Sequence, residues 1–367
     1  MNNRFQGKTR FIGKNPEKSL KELIGNTKIG KDADTNVAFG YQAISKFKTN
    51  VKGFNIALGY ESGFNLTTSQ FNIAIGYQCL FEDTIGTRNI AIGYKCLKNL
   101  RSTDPEEDGF GNIAIGSECG LNATTAKENV LIGTKCVESG VLTGKQNIGI
   151  GHQVLKNLST GSENLAVGYI AGIAITTGSL NLLIGGKSGS GLEDGTQNVS
   201  VGANSMGACG TGPVGNVGLG YYSIYGCSGN YNTAIGYQAG SFRGETTFME
   251  GNGNVLIGYK TGHNITSGSY NVCIGYQVNP VSTTDNSQLI IGINGTGTGD
   301  DITWIQGDSS GTITIGKLIC DDVAIDDLIT ESVPTGSASP GTLRFNTSDN
   351  RLYIYDGSGW HYSKVFT

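Results

Sequence analysis

An Asn followed four residues later by a Gly, with aliphatic or β-branched residues between them, recurs fourteen times from Asn36 to Gly275. Successive repeat Asn residues are separated by 19, 17, 17, 23, 17, 18, 17, 17, 17, 18, 16, 22 and 17 positions, so the period is 17. Units of one length stack on their neighbours and share a one-dimensional core, which leaves little room for an active-site cleft. A helical array is excluded, because it needs apolar residues spaced near 3.6 and each interior Gly would cost about 1 kcal/mol relative to Ala. The expectation is an all-β chain: a parallel β-roll or β-solenoid, each repeat one rung.

Within a rung the residue after Asn is Val37, Ile56, Ile73, Ile90 or Ile113, and the residue two further on is Phe39, Leu58, Ile75, Ile92 or Ile115, with Ala between them. Alternation with period two marks a short strand with two faces. The large residues are expected to point into the core, and the small ones toward a second surface, the other arm of the coil or a neighbouring chain. Gly closes the strand where the chain must turn a corner, by positive φ or close backbone approach. Asn fits a stacked turn, its amide bonding nearby backbone or the equivalent amide one rung away. Tyr follows the Gly at nine rungs, among them Tyr41, Tyr60, Tyr77, Tyr94, Tyr237, Tyr259 and Tyr276, which predicts a ladder of stacked rings. A sugar-binding strip is the alternative use of such a ladder.

Cys79, Cys96, Cys119 and Cys136 all sit three positions after a repeat Gly, where other rungs carry Ala43, Ser62, Ala171 or Ser188. They read as small core fillers with free thiols, because metal sites need paired ligands at short spacing and these cysteines are 17, 23 and 17 residues apart. No metal and no cofactor is expected. Three His, no nucleophile elbow and no phosphate-binding loop leave enzyme chemistry without residues, so the chain is read as non-enzymatic. A net charge of −4 gives no reason to bind nucleic acid. No run of about 18 apolar residues is present, and the start MNNRFQGKTRFIGK has no secretory apolar stretch. Synthesis in the cytoplasm without membrane insertion is the expectation.

The repeats NVAFGYQAI from Asn36, NIAIGYQCL from Asn72 and NTAIGYQAG from Asn232 resemble the head repeats of trimeric autotransporter adhesins, and are closer still to the NTAIGYQA arrays of phage tail-fibre proteins. The resemblance implies a left-handed roll assembled as a homotrimer. It covers residues 36–292, with QLIIG from Gln288 as a decayed last rung, giving about 14 to 15 rungs. At about 4.8 Å each, these rungs would form a shaft on the order of 65 to 70 Å. The period is longer than in the adhesin repeats, which favours a virion fibre over a bacterial-surface protein.

Around the shaft, residues 1–35 carry eight Lys or Arg against four Asp or Glu and read as an attachment segment that docks on other virion structural proteins. Residues 293–339 read as a β-rich connector. Residues 340–367 read as a three-stranded β-meander whose pattern GTLRFNT, NRLYIYDG and W resembles a small module of phage fibre and virion proteins. Its aromatic positions Tyr353, Tyr355, Trp360 and Tyr362 need covering by partner chains or by the roll. Two repeats carry insertions on the return arm, one with Asp104, Glu106, Glu107 and Asp108, the other with Phe242, Arg243 and Phe248. These residues and the meander aromatics are the candidate contacts for a host-surface receptor, glycans included, or for another virion protein. The functional expectation is an adhesive tail fibre or receptor-binding fibre located on the virion. The alternatives are a capsid-attached decoration protein and a cellular trimeric adhesin.

Overall fold

A computed structural model describes residues 36–48, 53–104, 109–210, 212–241, 249–294, 302–308, 310, 313–315, 342–346, 351–355 and 358–362. They fall into two units, Met1–Gly316 and Lys317–Thr367. The attachment segment expected at residues 1–35 lies outside the described residues.

The first unit is a β-solenoid. One strand per repeat, from Val37–Phe39 to Leu289–Ile293, pairs in parallel with the strand of the next repeat, Ile73 on Ile90 and Ile90 on Ile113. Insertions leave this register intact: the 23-residue interval still sets Asn89 beside Asn112, and their strands pair without a slip. Two further strands, Ile302–Gly307 and Ile313–Ile315, continue the same sheet in antiparallel sense. The second unit holds the expected meander, Thr342–Asn346, Arg351–Tyr355 and Trp360–Tyr362, all antiparallel.

The expected facing of the strands is reversed. Ala57, Ala74, Ala91, Ala114 and Ala166 at the strand centre are fully buried, whereas the flanking Val37, Phe39, Ile56, Ile150, Ile184 and Ile235 are exposed and the other large flanking residues only half-buried. At most rungs the coil has room for only a small residue at the strand centre, because its interior is already filled from the opposite side. That filling is the small column of Cys79, Cys96, Cys119 and Cys136, with the leucines Leu66, Leu80, Leu97, Leu100, Leu155 and Leu158, all buried. Volume is conserved along the axis. Where the strand centre is Leu256, the facing positions are Gly240 and Gly262, and a Cβ at either would lie within 2.9 Å of a Leu256 methyl.

The corner residue needs Gly twice over. Gly93 has φ +126°, and a Cβ there would land on the carbonyl oxygen of Gly116 one rung on. The same geometry holds from Gly40 to Gly275. Beyond the corner the chain enters the left-handed region again at non-glycine residues, Gln78 (φ 51°) and Leu80 (φ 50°) in one rung, Lys95 (52°) and Leu97 (49°) in the next. Such residues carry a backbone penalty. Inter-rung hydrogen bonds hold them there, Gln78 N donating backward to Tyr60 O and Leu80 N forward to Cys96 O.

Each repeat Asn is buried and sits in an uninterrupted amide ladder. Asn72 receives N–H from Asn89 at 2.8 Å on its Oδ1, while its own Nδ2 donates to Asn55 Oδ1 at 3.1 Å and to Gly86 O at 2.8 Å. The pattern runs to Gln288, whose backbone N–H donates to Asn271 Oδ1 at 2.9 Å. The side-chain oxygens of the repeat Asn ladder thus find partners that exist only when the next rung is in place.

Asp83 departs from the interior chemistry. It occupies the column of Leu66 and Leu100, and burial pushes its carboxyl up to about 6. Oδ1 accepts N–H bonds from Gly86 at 3.2 Å and Ser102 at 3.3 Å. Oδ2 is buried without a partner.

Candidate interaction surface

Because the alanines turn inward, the aliphatic residues on both sides of them form a continuous outer face. It is extended laterally by the residue after each corner. Tyr41, Tyr60, Tyr77 and Tyr94 stack one on another with ring centroids 5.1 to 5.3 Å apart. A second run, Tyr221, Tyr237, Tyr259 and Tyr276, stacks at 4.9 to 5.3 Å. Ser117 and Thr134 end the first run, and His152 resumes the column by stacking on Tyr169 at 5.7 Å. His152 is therefore a ladder ring. Most of these rings are two-fifths or more exposed, Tyr41 59% and Tyr169 56%, although Lys95 lies over Tyr94 and the Tyr222 ring packs edge-on against Tyr221. A second aromatic column precedes the Asn, where Phe54 and Phe71 stack at 5.2 Å and Tyr231 and Tyr270 are exposed.

The flank beyond the tyrosines is polar and varies along the shaft. Lys135 binds Glu118 at 3.6 Å and Glu138 at 2.8 Å, and Glu138 also binds Lys156 at 3.5 Å. The hydrogen bond from Lys135 pulls the Glu138 carboxyl below the usual range. Gln78 Nε2 donates to Glu61 at 2.8 Å on the same column. Farther along, the flank opens into a groove of about 320 Å³ lined by Gln238, Ser241, Lys260, His263, Gln277, Asn279 and Asn294.

The cysteine column is interior, and its thiols are free. Cys79 Sγ donates to Gly93 O at 3.3 Å and Cys119 Sγ to Gly133 O at 3.0 Å, the corner carbonyls one rung on. Thr261 makes the same bond with its hydroxyl, to Gly275 O at 2.9 Å, whereas Ser205 Oγ donates to Gly218 O at the strand centre of the next rung. Hydrogen bonds to Cys119 and Cys79 on either side push the Cys96 thiol well up, and burial pushes Cys273 up to about 12. No group of three His, Cys, Asp or Glu among the described residues could hold a metal.

Of the contact candidates read from the sequence, Asp104 is exposed where the first insertion begins. Glu106, Glu107, Asp108, Phe242, Arg243 and Phe248 lie outside the described residues. In the meander, the register sets Tyr353 opposite Tyr362 and Tyr355 opposite Trp360, so the four aromatic positions form two adjacent cross-strand pairs. Leu343 pairs instead with Ile354 and Phe345 with Leu352. Sequence reading missed the groove, whose signal is the small Ser241 in a column that carries Phe64, Phe81 and Leu121 in other rungs. It also missed the outward direction of the isoleucines. No protein-family model, curated protein or solved structure matches this chain.

Proposed function

We propose that this chain forms the shaft of a homotrimeric virion fibre, a tail fibre or receptor-binding fibre that spaces and presents a tip for host attachment. The observation that carries the reading is the outward aliphatic and tyrosine face, which runs rung after rung and stays half to largely exposed along the shaft. An apolar face of that extent on a water-facing sheet marks an association surface. Copies of the same chain offer a matching face at the same rung spacing, so they bury it along its whole length. The number three and the virion setting rest on the resemblance of the NxAIGYQ repeats. Function is then mechanical and adhesive, with three copies multiplying weak contacts through avidity. The two insertions and the meander remain the contact candidates for receptor or virion partners.

Immunogold labelling of particles with antibody against the purified chain tests the setting. Label on tails or fibres is expected. Label on capsid faces would replace the fibre by a decoration protein, and label confined to uninfected cell surfaces would overturn the virion reading in favour of a cellular adhesin.

A further inference from the structure

We propose that the groove beside the second tyrosine run binds one carboxylate-bearing sugar unit, a deepening that rests on the receptor-binding reading above. Five positions after the repeat Gly, five rungs place a large apolar residue, Phe64, Phe81, Leu121, Ile173 or Tyr225, with Phe64 and Phe81 stacked at 5.2 Å, whereas Ser45, Ser190, Gly207 and Ser241 are small. Beside the small Ser241, between the second tyrosine run's flank residues, a groove of about 320 Å³ opens, the lower end of small-ligand pockets and too little for a polymer segment.

The opened space is polar by construction. Ser241 is 7% exposed, and its buried hydroxyl has no hydrogen-bond partner. Ser190, in the same column, instead donates to Gly207 O at 3.0 Å. A buried hydroxyl without a partner costs free energy that a ligand hydroxyl in the groove would recover. Beside it run Gln238, Lys260, Gln277 and Asn294, all two positions after their repeat glycines or the decayed-rung Gly292, offering amide donors and acceptors and one ammonium. Nζ of Lys260 lies 5.3 Å from the Tyr259 ring centre, and no carboxylate among the described residues pairs with it. His263 Nδ1 donates to Lys260 O at 3.1 Å, a bond that orients the ring. Asn279 accepts His263 N–H at 3.0 Å and donates to Gln277 O at 3.2 Å, so it is wall.

One cation, no lining carboxylate, amides that both donate and accept, and an orphan hydroxyl match a ring of hydroxyls bearing one carboxylate. A neutral sugar would leave Lys260 without its counterion, and a simple anion would leave the amides and Ser241 unused.

Saturation-transfer NMR and calorimetry on the full chain with glucuronate, galacturonate, N-acetylneuraminate, glucose and acetate test this. At least one acidic sugar is expected to bind, with glucose and acetate weaker by about tenfold or more. Lys260→Gln should lose about tenfold in affinity, and Ser241→Phe should abolish binding. Both variants should fold, because Gln already stands at 238 and 277 in the first column and Phe at 64 and 81 in the second. No binding by any acidic sugar, equal binding of glucose or acetate, or unchanged affinity in both variants would overturn the site. One chain builds the groove. Absent binding in a protein that scatters as a trimer overturns the groove alone, whereas intact binding by a monomer overturns the fibre reading.

Discussion

The inside and the outside of each rung are built to opposite rules. Inside, residues are chosen by volume and by bonds to the next rung. Ala91 is fully buried between strands, Cys96 fills the space opposite, and Leu131, Leu183 or Leu256 is admitted at the strand centre where a facing Gly makes room. Outside, size is unconstrained and Ile, Val, Phe and Tyr recur although water reaches them. An interior so narrow is saturated by small residues, which pushes the large β-branched ones outward. They serve strand propensity and leave an apolar face for another chain.

Ala91→Asp and Ile92→Asp, at adjacent residues on opposite faces, should differ most. Ala91→Asp buries an unpaired carboxylate in a filled coil and should abolish folding, a loss on the order of 4 to 5 kcal/mol or more. Ile92→Asp should keep the β circular dichroism spectrum while dispersing the assembly. Equal loss of structure in both would show that the two faces are not distinct.

Asp83 sharpens the inside rule by violating it. Its folded-state carboxyl titrates at about 6 against an ordinary 3.8, so between those values the folded chain holds a proton that the unfolded chain has released. Stability from this group therefore falls as pH rises through that window, and the loss is complete above about pH 6, roughly 3 kcal/mol for the two-unit shift. Asp83→Asn keeps an acceptor for the Gly86 and Ser102 N–H groups and removes the charge. Thermal melts should show the variant more stable at pH 7, with the wild-type decline between pH 4 and 6 flattened. A variant with the same pH slope as wild type would contradict the assignment.

The smallest effect belongs to Cys96→Ala. Ala43, Ala171 and Ala239 already occupy that column and are buried, so the cost should be under about 1.5 kcal/mol despite full burial. A loss as large as that of Ala91→Asp would mean that the thiol hydrogen bond to Gly116, at 3.3 Å, is a main support of the corner.

The sequence made the period, the strand, the Asn ladder, the Gly corner and the ring stacking legible, because each depends on one residue type in fixed register. Direction was not legible. Alternation shows that a strand has two faces, and the habit that large means inside chose the wrong one. The correction was encoded elsewhere, in the pairing of Leu256 with Gly240 and Gly262 and of Leu183 with Gly172 and Gly189. The left-handed turns at Gln78 and Leu80 carried no local mark, since inter-rung bonds impose them. Their only sign was Gly63, Gly120 and Gly172 appearing in the column of Leu80. The groove was hidden because its walls, Ser241, Lys260, His263 and Asn279 among them, come from positions in successive rungs that no single motif joins. Asp83 was equally hidden, a carboxylate that looks like a loop residue until the rungs are aligned.

Assembly through the outer face fixes the mass of the particle in solution, which light scattering on the purified chain reads. The expected mass is about three times the 38.5 kDa of one chain, falling to a folded single-chain mass in Ile92→Asp. A wild-type chain that scatters as a folded monomer at micromolar concentration, with its isoleucines and tyrosines open to water, would contradict it.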